Sequence, residues 1–234
     1  DDLQLVKGGP QLRRDFLDLY LAQIEPGYRY TYVDFYKILQ QRNRFLKIGF
    51  DSAEYEVWNE QLVKTGVKVI RHRAILIEQI KPYIIAAHRR ISSAQETLTL
   101  EYQSLNTKNL YLMDEAEIKA LFEAELKRVK SAEFERKQTL VGPQRDELLL
   151  TLNGDVELRN YGSQGQQRTV SLALKLGMID ILTVQRGTSP ILLLDDVMSE
   201  FDDHRKQALL ELLSGISMIK GVKIFLVGYM NCSF

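Results

Sequence analysis

Tyr161-Gly162-Ser163-Gln164-Gly165-Gln166-Gln167-Arg168, and the later run Ser189-Pro190-Ile191-Leu192-Leu193-Leu194-Asp195-Asp196, are the stretches on which the fold turns. The first leads straight into a helical pattern from about Gln164 to Gln185. Glycine and small residues ahead of a helix let backbone N–H groups and a serine hydroxyl converge on an anion, and the helix dipole favours negative charge there. The plainer alternative is a polar loop with a serine N-cap. The second run is an apolar strand closed by two carboxylates. In open α/β sheets ligands bind at the carboxyl ends of the strands. There Asp195 suits a Mg²⁺ that keeps most of its waters, and Asp196 suits a group that orients or deprotonates a water. Helix capping alone is a poor explanation for two adjacent acids that end a buried strand.

Working outward, a helix from about Asp202 to Leu213 and a strand from Val222 to Val227 follow. Apolar strands alternating with helices predict an α/β fold with a buried, largely parallel sheet. Upstream, Leu148 to Leu152 and Val156 to Leu158 flank Asn153-Gly154, a pair that tolerates positive φ and marks a hairpin. Asp114 to Lys137 reads as a helix with Asp114 as N-cap and Glu117 three residues on. Thr97 to Tyr102 alternates apolar and polar residues, as a strand does. From Tyr28 to Ser92 the pattern is helical. Tyr28, Tyr32, Phe35, Leu39 and Leu46 share one seam with Arg42 on it, and a second seam runs from Val63 through Ile70, Ile77, Lys81 and His88 to Ile91. Pro82 is placed to kink that second helix. A first helix is entered at Pro10, behind Gly8-Gly9.

The bulk properties are those of a globular protein. The chain has 234 residues, 45% of them hydrophobic, and 31 basic residues balance 31 acidic ones. A nucleic-acid surface must therefore be a local patch. Cys232 is the one cysteine, which excludes an internal disulfide and fits a reducing compartment. His72, His88 and His204 are too scattered for a metal motif. The apolar runs are too short to span a bilayer. The chain opens Asp1-Asp2-Leu3, without an initiator Met or a leader, and reads as a fragment.

Taken in order, the turn at Ser163, the strand ending at Asp195-Asp196 and the following Ser199-Glu200-Phe201-Asp202 resemble the signature motif, Walker B strand and D-loop of an ABC-type ATPase head. The spelling Gly-Ser-Gln-Gly-Gln-Gln-Arg with Leu-Leu-Leu-Asp-Asp-Val resembles the RecF family more than transporters or long-armed SMC proteins. Asp1 to Gly8 with Arg13-Arg14-Asp15-Phe16-Leu17-Asp18, and Gly142-Pro143-Gln144-Arg145-Asp146, are similar to further RecF segments.

The resemblance implies a partial P-loop-type ATPase lobe at residues 1–24 and 139–234, with a mainly helical second lobe at 25–138. It implies that Ser163, Gln164, Gly165 and Gln166 meet ATP held by a second copy. It implies that Asp195 supports Mg²⁺, that Asp196 stands at the catalytic position, and that Ser199 and Asp202 form the D-loop across the interface. The activity implied is ATP-driven dimerisation and DNA binding in replication and recombinational repair, with slow hydrolysis, in the cytoplasm and alongside RecR and RecO.

The sequence departs from the family in two places. No Gly-x-x-x-x-Gly-Lys-Ser/Thr occurs, and no Gly-Lys pair at all, so the loop that supplies most phosphate-binding N–H groups is missing. The tail from Gly228 to Phe234 offers no switch residue. Basic residues cluster at Arg13-Arg14, Arg42-Arg44-Lys47, Arg71-Arg73 and Arg89-Arg90, of which Arg71, Arg73, Arg89 and Arg90 are the DNA candidates. Solvated helix faces are the alternative for each cluster. Two further readings of the whole chain stay open: the head of another ABC-type ATPase, SMC-like, and a non-catalytic interaction module.

Overall fold

A computed structural model describes residues 3–49, 52–92, 94, 96–186, 191–195, 201, 203–220 and 223–227. Eight helices and five strands follow one another among them. They are α1 (Gln4–Lys7), α2 (Pro10–Ile24), α3 (Tyr28–Ile48), α4 (Ser52–Ile91), β1 (Leu98–Gln103), α5 (Glu115–Arg136), β2 (Glu147–Leu152), β3 (Val156–Glu157), α6 (Leu158–Tyr161), α7 (Gln164–Arg186), β4 (Ile191–Asp195), α8 (Asp203–Lys220) and β5 (Lys223–Val227). The chain packs as two compact units. One holds residues 1–8, 79–100 and 150–234, and the other holds 9–78 and 101–149.

Local chemistry accounts for most element ends. Pro10 opens α2, where its missing N–H costs nothing. Gly27 and Gly49 bound α3, both at positive φ. Asp114 caps α5 in a full capping box: its carboxylate accepts from the Glu117 N–H at 2.8 Å, and Glu117 accepts from the Asp114 N–H at 2.8 Å. α4 is assigned as one continuous helix of 40 residues with Pro82 inside it. Pro82 has no N–H for the carbonyl four residues back. The division between the two units also falls on this helix, between Glu78 and Gln79.

The first unit is held by helix packing. Ile80, Ile84, Ala87 and Ile91 of α4 are buried, as are Val170, Ala173, Leu174 and Met178 of α7. Gly177 makes the close approach possible, because a Cβ there would come within 2.4 Å of the Ile84 side chain and 3.0 Å of its backbone nitrogen. Strands β1, β2 and β3 form a sheet in that order. β2 and β3 pair antiparallel with Leu152 opposite Val156, closing over a three-residue turn in which Asn153 and Gly154 both have positive φ. Asn153 also ties the turn to the start of β1, exchanging hydrogen bonds with the Thr97 backbone at 2.9 and 3.0 Å.

β4 and β5 pair in parallel, with Ile191 opposite Lys223 and Asp195 opposite Val227. The parallel pairing agrees with the sequence, but burial falls on one face. Leu192 and Leu194 are buried, whereas Ile191, Leu193 and Phe225 are 62%, 68% and 52% exposed. An all-apolar strand calls for cover on both faces. The described residues provide it on one.

The second unit has an apolar core of Phe35, Leu39, Leu62, Val69, Ile70, Ile77, Ile118, Phe122 and Leu126, of which Phe35 and Leu39 belong to the first expected seam and Ile70 and Ile77 to the second. Two arginines are embedded in it. Arg42 donates to Glu133 at 2.5 Å, to Thr139 at 2.7 Å and to Asn59 at 2.8 and 3.0 Å. Arg73 grips Asp18 with two bonds of 2.8 Å and also reaches Asp146 at 3.0 Å and the Pro143 carbonyl at 2.7 Å. Tyr28 donates to Asp18 at 2.5 Å, and Tyr102 donates to Asp146. Burial pushes the Asp146 carboxyl up to about 6, against the pull of Arg73. Burial also raises the phenols of Tyr28 and Tyr102, which keeps both as donors.

Candidate functional site

The turn from Gly162 to Gln166 sits at the N-terminus of α7 with Ser163 and Gln164 exposed. Ser163 and Gln166 form a reciprocal cap. The Gln166 N–H donates to Ser163 Oγ at 3.2 Å, and Gln166 Oε1 accepts from the Ser163 N–H at 2.8 Å. The two readings of this serine are therefore compatible. As a cap its oxygen accepts one hydrogen bond, and the hydroxyl proton is still available to donate outward. The N–H groups of Gln164 and Gly165 belong to the first turn, where no carbonyl lies four residues back within the helix. A hydroxyl donor, two backbone donors and the positive end of a 23-residue helix can together hold a phosphate.

The Gln166 amide is engaged at both ends, since its Nε2 donates to Glu96 Oε1 at 2.9 Å. A phosphate contact through that side chain requires one of these bonds to be released. Arg205 of α8 lies against the same turn. A Cβ on Gly165 would come within 2.5 Å of Arg205 Nη1, and the guanidinium is 3.8 Å from Glu96 Oε1.

Of the acidic positions, Asp195 ends β4, at the carboxyl end of a strand in a parallel pair. Asp196, Ser199 and Asp202 lie outside the described residues, as does the tail from Gly228 to Phe234. Among the described residues no group of three or more His, Cys, Asp or Glu side chains could hold a metal ion. Among them, too, no helix is long and apolar enough to cross a membrane.

The chain has relatives along nearly its whole length. It is 42% identical over 219 residues to the DNA replication and repair protein RecF of Halothermothrix orenii, covering 92% of this chain and 58% of that protein. It is 39% identical over 220 residues to RecF of Lysinibacillus sphaericus, covering 92% and 59%. A solved structure of the recombination mediator protein RecF with ATP, from the RecFOR pathway, superposes with a TM-score of 0.84 at 31% identity over all of this chain and 61% of the other.

The chain belongs to the RecF family.

Its fold is that of the ABC-type ATPase head, and it is shared in outline by the Smc head domain of Pyrococcus furiosus, with a TM-score of 0.52 at 13% identity over 99% of this chain and 54% of that one. The RecF-family chain spans about three-fifths of the length of the curated relatives it matches. No sequence-family model matches it.

The four basic DNA candidates of this RecF-family chain divide. Arg89 and Arg90 are exposed at the end of α4. Arg71 is half-buried and donates to the Met113 carbonyl. Arg73 is 0% exposed with its guanidinium between Asp18 and Asp146, so it belongs to the core and is unavailable to a phosphate. That corrects the expectation for Arg73. The signal was present in the sequence, because Arg73 stands three residues after Ile70 and four before Ile77, on the apolar stripe itself. Arg13, Arg14 and Arg42 of the other clusters are likewise buried. Sequence reasoning missed Glu96 and Arg205 at the Ser163 turn, since neither carries a local motif.

Proposed function

We propose that this chain is the portion of a RecF-type DNA replication and repair ATPase that closes over ATP bound by a second copy. Ser163, Gln164 and Gly165 offer hydroxyl and backbone donors to the γ-phosphate, and Gln166 holds the turn in shape. Asp195 supplies a carboxylate to Mg²⁺, a role suited to a hard cation that keeps most of its waters. Asp196 orients the attacking water, and Ser199 and Asp202 meet the partner copy across the interface. Closure of the dimer gates DNA binding, with Arg89 and Arg90 as exposed phosphate contacts. The protein hydrolyses ATP slowly and works in the cytoplasm with RecR and RecO in recombinational repair.

What supports this reading most is the exposed Ser163, whose hydroxyl keeps a proton to give while its oxygen caps α7. The ATP carried by the solved RecF relative fits the same chemistry. Sedimentation of the complete protein with and without ATP tests it. Ser163→Arg puts a long cation where the phosphate is to sit against the turn, and should abolish the ATP-driven shift from monomer to dimer. An unchanged shift would reject the assignment.

A further inference from the structure

Glu96 is far in sequence from any motif, yet it reaches the signature turn directly. α4 ends at Ile91, and the chain then turns back through Ala94, held at φ 60 with its N–H bonded to the Arg89 carbonyl at 2.8 Å. A non-glycine residue adopts the left-handed region only where its surroundings hold it there. The turn delivers Glu96 against the starts of α7 and α8. One carboxylate oxygen accepts from Gln166 Nε2 at 2.9 Å and lies 3.8 Å from Arg205.

The other oxygen is buried 3.7 Å from Nε2 of His88, which is 1% exposed. Neither Glu96 Oε2 nor His88 Nε2 has a hydrogen-bond partner. Buried polar atoms without partners are rare in native structures. A capping box needs only the Gln166 carbonyl oxygen, so the second bond adds nothing to the cap. Its effect is to fix the side-chain amide whose oxygen accepts from the Ser163 N–H at 2.8 Å.

We propose that Glu96 is a positioning residue for the signature turn: it locks Gln166 and holds Arg205 beside Gly165, so that the turn is already aligned when ATP on the partner copy arrives. Arg205 stands three residues after Asp202, so the same carboxylate links the signature turn to the segment that follows the proposed D-loop. The inference rests on the composite-site reading above.

The test uses the complete protein and two readouts: nucleotide affinity of dilute monomer, from a fluorescent ATP analogue, and the ATP concentration at half-maximal dimerisation. Glu96→Ala should raise the dimerisation midpoint about tenfold, the effect of losing one charge-assisted hydrogen bond of alignment. Monomer affinity should stay within about twofold, because a nucleotide held by a lone protomer does not meet the Ser163 turn that Glu96 supports. Glu96→Gln keeps the volume and an oxygen that accepts from Gln166, so it should recover most of the loss. In a Gln166→Ala background, Glu96→Ala should cost clearly less than it does alone, the remainder being its hold on Arg205.

A Glu96→Ala midpoint equal to that of the parent overturns the proposal alone. So does an equal loss in the Ala and Gln variants that tracks a fall in melting temperature, or an additive effect in the double variant. A parent protein that shows no ATP-driven dimer removes the composite-site reading and this proposal with it.

Discussion

Replacing Arg73 with methionine removes a buried cation while keeping most of the volume. The guanidinium makes two 2.8 Å bonds to Asp18, one of 3.0 Å to Asp146 and one of 2.7 Å to the Pro143 carbonyl. Its departure leaves two carboxylates that are 8% and 1% exposed facing each other without a counter-charge. Breaking a buried pair from one side typically costs about 3–5 kcal/mol. Asp146 can escape part of that cost by binding a proton. Its carboxyl already titrates at about 6 with Arg73 beside it and rises further without it.

The loss in Arg73→Met should therefore be about 3–4 kcal/mol at neutral pH. It should be smaller near pH 5, where protonation relieves the repulsion, and larger near pH 8. The sign follows from linkage. A carboxyl whose folded pKa is raised contributes stability below its unfolded pKa, and that stability is lost as pH rises through the folded value. Urea unfolding followed by far-ultraviolet circular dichroism at the three pH values gives the numbers. A cost below about 1 kcal/mol, the range of an exposed ion pair, would refute the buried-hub account. A well-folded variant with weakened duplex binding would refute it too and return Arg73 to the DNA surface.

Asp196→Asn should slow ATP hydrolysis and lengthen the life of the dimer, measured by phosphate release and sedimentation; equal turnover rejects its catalytic role. Duplex affinity should fall steeply with salt, and replacing Arg89 and Arg90 together with alanine should lower that slope by about two counterions. A flat salt response dismisses them as phosphate contacts. Burial holds the His88 imidazole below its ordinary value of 6.5, helped by Arg205 and opposed by Glu96. The stability tied to neutral His88 is thus present above 6.5 and lost as pH falls through its lowered value. His88→Gln should flatten the melting temperature across that acidic range, and an unchanged pH profile counts against the burial.

Features written in adjacent residues were legible in the sequence. Asp114 with Glu117, Asn153 with Gly154, and the four apolar residues before Asp195 each announce a cap, a turn or a strand within a few positions, because capping, positive φ and extended backbone are local physics, whereas cover on only one face of that strand is not. The Ser163 turn was legible for the same reason. What stayed hidden depends on long-range partners. Arg73 finds Asp18 at a separation of 55 residues, Arg42 finds Glu133 at 91, and Glu96 finds Gln166 at 70. A charged side chain on a helix is read as solvated unless an opposite charge is known to wait beside it. Only the folded chain brings that charge there, so the basic cluster at Arg13-Arg14 looked like surface and proved to be core.

The uncovered face of β4 and β5 sets a rule for any layer that comes to rest on it. Ile191, Leu193 and Phe225 offer three large side chains, each contributing about 1.5–3 kcal/mol when fully withdrawn from water. A docking segment therefore needs apolar side chains spaced to match residues two apart on one strand and a single residue on the next. Until such a layer is seated, the same face is a sticky patch on which copies can stack wrongly. Leu193→Asn should lower the self-association of the isolated chain, read by light scattering, and scattering equal to that of the parent counts against the patch.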